Sequence, residues 1–300
     1  MKIVLTGSIG HIGKPLAQAL VQKGHAVTVI SSTAEREKNI IALGAKAAIG
    51  NLQDVDFLAE TFNGADVVYT MLALGAGSFF DPDLDFATAN IRIGHHLKAA
   101  VRRAGIQRVV HLSSIGAHMD EGNGILAIHH AAERILNELP GNISIKFMRP
   151  VGFYYNMLAF IPVIKSRGAI VQNYGGDEKE PWVSPSDIAA TIAGEMEQPF
   201  EGRTIRYIAS DEASPNEVAG ILGAAIGRPG LKWEEVPDEQ FLNGLIASGM
   251  NPRTARGFVE MNAARRGGVL YEDYYRHRPA LGRIKISDFA RDFAAAFNQP

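Results

Sequence analysis

Three glycines in the run Gly7-Ser8-Ile9-Gly10-His11-Ile12-Gly13 constrain this chain more than any other feature. They follow Lys2-Ile3-Val4-Leu5-Thr6, whose unbroken apolar centre reads as a strand buried on both faces. They precede Ile12, Leu16, Ala19 and Leu20, which recur at helical spacing until Gly24 ends the helix. A strand that becomes a helix so quickly needs glycine for three reasons. The first permits the tight turn, the second lets backbone approach a pyrophosphate, and the third lets the helix pack close to the sheet. The start of the helix then offers free N–H groups and the positive end of its dipole. The spacing is G-x-x-G-x-x-G rather than the commoner G-x-G-x-x-G, but its place between strand and helix predicts a dinucleotide site.

The alternation continues. Strand-like runs at 26–30, 47–49, 65–71, 108–112 and 143–148 are separated by helical stretches at 33–43, 54–62, 86–104 and 125–139. Repeated β-α-β units with glycine-containing turns predict an α/β fold, a Rossmann-type doubly wound parallel sheet. Its crossovers are expected to be right-handed. After Pro150 the pattern weakens into mostly helical segments, among them 238–248, 253–265 and 287–297. The expected organisation is therefore a nucleotide-binding domain over 1–150 and a smaller, mostly helical C-terminal lobe over 151–300. The stretch at about 183–210 is expected to return to the core, because 205–209 reads as one more strand. Residues 175–180 read as an exposed loop.

Composition removes several function classes. With 46% hydrophobic residues over 300 positions the chain can bury a sizeable core. A net charge of −2 gives no electrostatic case for nucleic acid or an acidic membrane. No cysteine is present, so disulfides, thiolate nucleophiles and cysteine-ligated metals are excluded. No metal-ligand pattern occurs; His95 and His96 are adjacent on a helix and diverge. No basic, then apolar, leader opens the chain, and no apolar run is long enough to span a bilayer, so the expected location is the cytoplasm. Arg102-Arg103 and Arg265-Arg266 read as solvated helix faces.

The end of the second strand indicates which nucleotide. A carboxylate there would bind the ribose hydroxyls of NAD; instead the chain has Ser31-Ser32-Thr33 with Arg36 close behind. Small hydroxyls and a guanidinium suit a 2′-phosphate, so NADPH is expected ahead of NADH. Ligands in such sheets lie beyond the carboxyl ends of the strands. That places Met71, Leu72 and Ala73, together with Pro150 and Phe153, against the cofactor. Tyr154, Tyr155 and Asn156 then form one apolar wall for a ring-shaped substrate, with Phe79 and Phe80 as an opposite wall or lid. Asn90 on the long helix is either catalytic or bonded to backbone.

The glycine loop, the strand end His111-Leu112-Ser113-Ser114, and the run Arg149-Pro150-Val151-Gly152-Phe153-Tyr154-Tyr155-Asn156 together resemble the NmrA-like branch of the atypical short-chain dehydrogenase/reductase superfamily. So do Ser186-Asp187-Ile188-Ala189, Ala225-Ile226-Gly227-Arg228-Pro229, and Phe289 with Phe293. Reductases of the superfamily use a serine, a tyrosine and a lysine, the last two spaced Y-x-x-x-K. With Glu133 matched to the glutamate that commonly follows the lysine, the lysine position falls on His129 and the tyrosine position on Ile125. Ser113 or Ser114 matches the serine. His129, Ser113 and Ser114 are thus the candidate catalytic residues, His129 also touching the cofactor, and His130 is a bystander. The tyrosine protonates a developing alkoxide, which isoleucine cannot do. The resemblance therefore implies hydride transfer from NADPH to a planar small-molecule acceptor such as a quinone, which spreads the incoming charge itself. The alternative it implies is a non-catalytic NAD(P)H-sensing regulator with a protein partner. An epimerase-like activity is the third and weakest, and the state is a monomer or homodimer.

Overall fold

The computed structural model describes residues 1–75 and 77–299. Its first half is a regular alternation: β1 (Lys2–Leu5), α1 (Gly13–Gln22), β2 (Ala26–Ser31), α2 (Glu37–Ala42), β3 (Lys46–Ile49), α3 (Val55–Phe62), β4 (Val67–Met71), α4 (Phe86–Arg103), β5 (Arg108–Leu112), α5 (Ala127–Asn137) and β6 (Ser144–Pro150). The second half adds β7 (Gly152–Phe153), α6 (Ile161–Arg167), β8 (Ala169–Gln172), β9 (Glu180–Val183), α7 (Pro185–Glu195), β10 (Arg203–Ile208), β11 (Asp211–Ala213), α8 (Pro215–Ala225), β12 (Lys232–Glu235), α9 (Asp238–Ala247), α10 (Pro252–Arg266), α11 (Glu272–Arg276) and α12 (Ile286–Phe297).

Seven strands form one parallel sheet in the order β10-β6-β5-β4-β1-β2-β3. The apolar runs of the sequence are buried on both faces because helices cover both. Alternate residues divide between two cores. Ile3, Leu5, Tyr69, Val110 and Met148 pack in the same core as Leu16 and Leu20 of α1 and Ile188 and Ile192 of α7. Val4, Val68, Val109 and Phe147 pack in the other, with Leu58 of α3, Leu97 of α4 and Leu136 of α5. The strand order reverses direction between β1 and β4, and the crevice above that switch point is where a doubly wound sheet takes its ligand.

Beyond β6 the chain crosses and recrosses. Strand β10 lies beside β6 at the sheet edge, and α7 packs on α1. A third core gathers Tyr154, Met157, Trp182, Trp233, Ile286 and Phe293. Two small sheets, β11-β9-β7 and β12-β8, brace this lobe. These short strands pair segments far apart in sequence, for example Gly152 with Trp182, so no local alternation announces them. Local signals do set the helix starts. Ser214 and Glu217 form a reciprocal capping box on α8, and the Asp54 and Asp85 side chains accept N–H bonds at the starts of α3 and α4.

Two readings of charge are corrected. Arg265 does not lie on a solvated face: it pairs with the Glu180 carboxylate, Nη2 to Oε1 at 2.6 Å, and its guanidinium lies over the rings of Tyr174 and Trp182. A guanidinium tolerates this burial because its fork is paired and its flat faces stack on aromatic rings. Glu180, read as part of an exposed loop, is correspondingly buried at the start of β9.

Candidate active site

The glycine loop is built by close approach. Thr6 N–H bonds the Tyr69 carbonyl, and the Thr6 hydroxyl accepts from Met71 N–H at 3.1 Å, tying β1 to the end of β4. Gly7 has φ +85°, and a Cβ there would lie 2.2 Å from Met71 Sδ. At Gly13 a Cβ would lie 2.0 Å from the Ser8 carbonyl oxygen, so the helix seats on the loop only with glycine. At Gly10 a Cβ would meet nothing of the protein within 4 Å, so this glycine keeps an outward face bare. Two glycines thus serve packing, while Gly10 leaves its backbone open to an approaching group at the start of α1. That is the cradle a pyrophosphate needs.

Beside it the ends of β1 and β2 meet through side chains. Ser8, at φ +61°, donates through its hydroxyl to Ser31 Oγ at 3.0 Å. Arg36 Nη1 donates to Ser8 Oγ at 3.1 Å, and Ser32 is exposed alongside. A cleft of about 480 Å³ opens here, lined by Ile9, Gly10, His11, Lys14, Pro15, Arg36 and Ser186. It carries basic groups and no carboxylate, as a phosphate site requires. A larger groove of about 720 Å³ lies at the opposite end of the sheet, beside the starts of β1, β2 and β3, away from the crevice.

The candidate catalytic residues separate on inspection. Ser113 is buried and donates to Glu133 Oε1 at 2.5 Å. Glu133 is held by Arg149 through both oxygens, at 2.9 and 2.7 Å, and Arg149 reaches on to Tyr207 and Asp273, both at 3.1 Å. Ser113 is therefore an element of a buried ion-pair network, which corrects the expectation that its hydroxyl is free for catalysis. Ser114 is half-buried, and its hydroxyl makes no side-chain bond among the described residues. His129 is half-buried with its Nδ1 enclosed and unpartnered. Burial pushes its pKa down to about 4, so it is a neutral imidazole near pH 7. Glu133, four residues further along α5, is committed to Arg149 rather than to His129. Behind it, Thr70 Oγ1 and His111 Nδ1 lie 2.9 Å apart, joining β4 to β5. His111 is fully buried, and burial, with the neighbouring His129, pushes its pKa down to about 3. His130 Nδ1 lies 3.0 Å from the Ala117 carbonyl, away from these groups.

Ile125, at the tyrosine position, lies in a short 3-10 turn beneath α10. A Cβ on Gly257 would be 2.5 Å from Ile125 Cγ2, and one on Gly124 would be 1.9 Å from the Gly257 carbonyl oxygen. Backbone meets backbone here, so the lobe fills the space a phenol would need. Asn90 Nδ2 donates to the Phe86 carbonyl at 2.8 Å, a backbone bond.

The expected aromatic wall is redistributed. Tyr154 is buried in the lobe core, donates to the Ile284 carbonyl at 3.0 Å and stacks on Phe289, so it is corrected from substrate wall to packing. Tyr155 instead places its ring against His11, centroids 3.6 Å apart. Asn156 is exposed beside it. Phe79 packs against Phe86 and Phe258, while Phe80 is exposed. Phe153 and Met71 pack half-buried on the first core, Leu72 and Ala73 on the second, and Pro150 is buried at the end of β6. Three contributors escaped the sequence reading. Lys14 and Ser186 line the basic cleft, and Asn251 clasps the loop after β4 by donating through its N–H to the Phe79 carbonyl and through Nδ2 to the Asp81 carbonyl. Lys14 was legible as the basic residue next to Gly13. Asn251 was legible only as a helix cap before Pro252.

Residues 1–266 match the model of the NmrA-like family. The chain belongs to the NmrA-like family. The NAD(P)H azoreductase of Xenophilus azovorans is 24% identical over 298 residues, covering 98% of this NmrA-like chain and 99% of that protein. The NADPH-dependent quinone oxidoreductase of Escherichia coli, solved with NADPH, superimposes with a TM-score of 0.80 at 18% identity, over 99% of this chain and 100% of that one. The triphenylmethane reductase of Citrobacter sp., solved with NADP(H), gives 0.72 at 19% identity, over 97% and 99%. The two solved structures share the fold of this NmrA-like chain, a Rossmann-type sheet with an appended lobe.

Proposed function

We propose that this chain is an NADPH-dependent oxidoreductase that delivers a hydride to a planar, charge-spreading acceptor such as a quinone, bound between the sheet crevice and the C-terminal lobe. The observation that carries the reading is Ile125 pinned under the backbone of α10 at Gly257. A saturated alkoxide product needs a proton donor at that point, and none stands there. An acceptor that delocalises the incoming electron pair needs little help from an acid. The relatives known as an azoreductase, a quinone oxidoreductase and a triphenylmethane reductase support the same reading.

NADPH supplies the hydride when bound. Arg36, with Ser8, Ser31 and Ser32, faces the 2′-phosphate, where a guanidinium provides a charge-assisted fork. Gly10 to Gly13 hold the pyrophosphate on backbone N–H groups. His129 is neutral, so it offers a hydrogen bond to a ribose hydroxyl or to the acceptor but not the positive charge of the usual lysine. Ser114, unlike Ser113, has a hydroxyl to spare for the acceptor oxygen. Tyr155, Asn156, Phe80 and the Phe79 loop border the acceptor.

The deciding experiment follows NADPH oxidation against a panel of benzoquinones and naphthoquinones, with His129→Ala beside the wild type. Quinone-dependent turnover that falls in the variant supports the enzyme. Tight NADPH binding with no turnover on any acceptor, plus a co-purifying protein, overturns it in favour of a nucleotide-sensing regulator.

A further inference from the structure

His11 stands between the second and third glycines of the loop, where neutral residues meet the geometric demands just as well, so its imidazole calls for an account. Three features surround it. First, its ring lies against Tyr155, with centroids 3.6 Å apart and planes tilted by 36°. Tyr155 comes from the segment after β7, so the lobe reaches across to the loop and holds this one side chain at the mouth of the cleft. Second, the charged groups facing the same cleft are Lys14 from α1 and Arg36 from the turn after β2, both basic. The element opposite, α7, contributes Ser186, while the neighbouring Asp187 is engaged elsewhere, accepting from Ser210 Oγ at 2.6 Å and from Ile284 N–H at 3.0 Å. Third, the bare face of Gly10 opens beside it.

We propose that His11 is a titrating ligand of the dinucleotide pyrophosphate: it takes up a proton as the dinucleotide binds, with Tyr155 holding its ring over the anion. This rests on the reading of the loop as a dinucleotide site, and not on the identity of the acceptor. Among the described residues that line the cleft His11 faces two cations and no anion, and its partial burial lowers its pKa. A pyrophosphate on the loop places two negative charges beside the ring and reverses that balance. The sign is then fixed. A pKa higher in the complex than in the free protein means proton uptake on binding. Affinity is greatest below the free-state pKa and falls as pH rises through the bound-state pKa. Each unit of difference is a tenfold change in affinity. Solvent screening at this exposed residue reduces that to about threefold.

The 2′-phosphate of NADPH titrates in the same range, so the probe is ADP-ribose, which carries the pyrophosphate without it. Isothermal titration of the full-length protein with ADP-ribose, in buffers of different ionisation enthalpy at about pH 7, counts the protons taken up. The wild type is expected to take up a fraction of a proton and to bind about threefold more weakly at about pH 8 than at about pH 6. His11→Gln is expected to bind with neither signature, and Tyr155→Leu to reduce the uptake. Circular dichroism checks that both variants are folded. Equal proton uptake in His11→Gln, or none in the wild type, overturns the proposal. Failure of ADP-ribose and NADPH alike to bind the wild type overturns it together with the nucleotide site. Failure to reduce any quinone, with binding and proton uptake intact, removes only the acceptor assignment and supports the role of His11.

Discussion

Two histidines, one fully buried and one half-buried with an enclosed Nδ1, should make this protein lose stability in mild acid. His111 and His129 sit near pKa 3 and 4 in the folded chain, where burial disfavours their charged forms. In the unfolded chain each titrates near the ordinary value of about 6.5. Between those values the unfolded state binds more protons, so stability is complete above about pH 6.5 and declines as pH falls toward 4. At about pH 4.5 the loss is roughly 2.5 kcal/mol for each ring, or roughly 5 kcal/mol for the pair. That is a large part of the 5–15 kcal/mol by which domains are typically stable. Urea unfolding at about pH 7.5 and about pH 4.5 measures the decline. The variants His129→Gln and His111→Gln should each shed roughly half of it. Carboxylates held in ion pairs, such as Asp238 with Arg266, add an acid loss common to all three proteins, so the comparison isolates the histidines. If both variants lose as much stability as the wild type between the two pH values, the rings are charged or solvated in the folded state and the reasoning fails.

Arg36→Ala should weaken NADPH by about 10- to 100-fold, the loss of charge-assisted bonds of roughly 1.5–3 kcal/mol, while NADH binding stays within about threefold. Equal losses for both nucleotides in a direct titration would show that Arg36 does not read the 2′-phosphate. Restoring a phenol by Ile125→Tyr should not produce a ketone reductase. Gly257 of α10 occupies the space, so the variant should lose about 1–3 kcal/mol to overpacking in urea melts. A stable variant that reduces simple ketones would contradict the closed geometry described for this turn.

Much of the core was legible because its determinants are local. The strand runs, helical spacings and glycine stops lie within single elements, and the observed boundaries match the expected ones, as for β5 at Arg108–Leu112, or differ by a few residues, as for α5 at Ala127–Asn137 against 125–139. The short strands β7, β9, β11 and β12 were not legible, because each finds its partner across a long gap in sequence. The candidate site divides the same way. Gly7, Gly10, Gly13, Ser31 and Arg36 are neighbours through one β-α-β unit, and sequence spacing alone brings them together.

Which serine is free and which tyrosine faces the site are different questions. Ser113 and Ser114 are adjacent and chemically identical, and only the approach of Glu133 from α5 and Arg149 from β6 commits one of them. Tyr154 and Tyr155 are likewise adjacent, yet one is sealed against Phe289 and the other reaches His11. The sequence by itself determined the sheet, the glycine loop and the nearness of Ser31 and Arg36 to it, since backbone conformation and hydrophobic period are set by near neighbours. The tertiary structure alone decided which side chains keep an open face, because burial, ion pairing and the packing of α10 on Ile125 depend on segments brought together only when the chain folds.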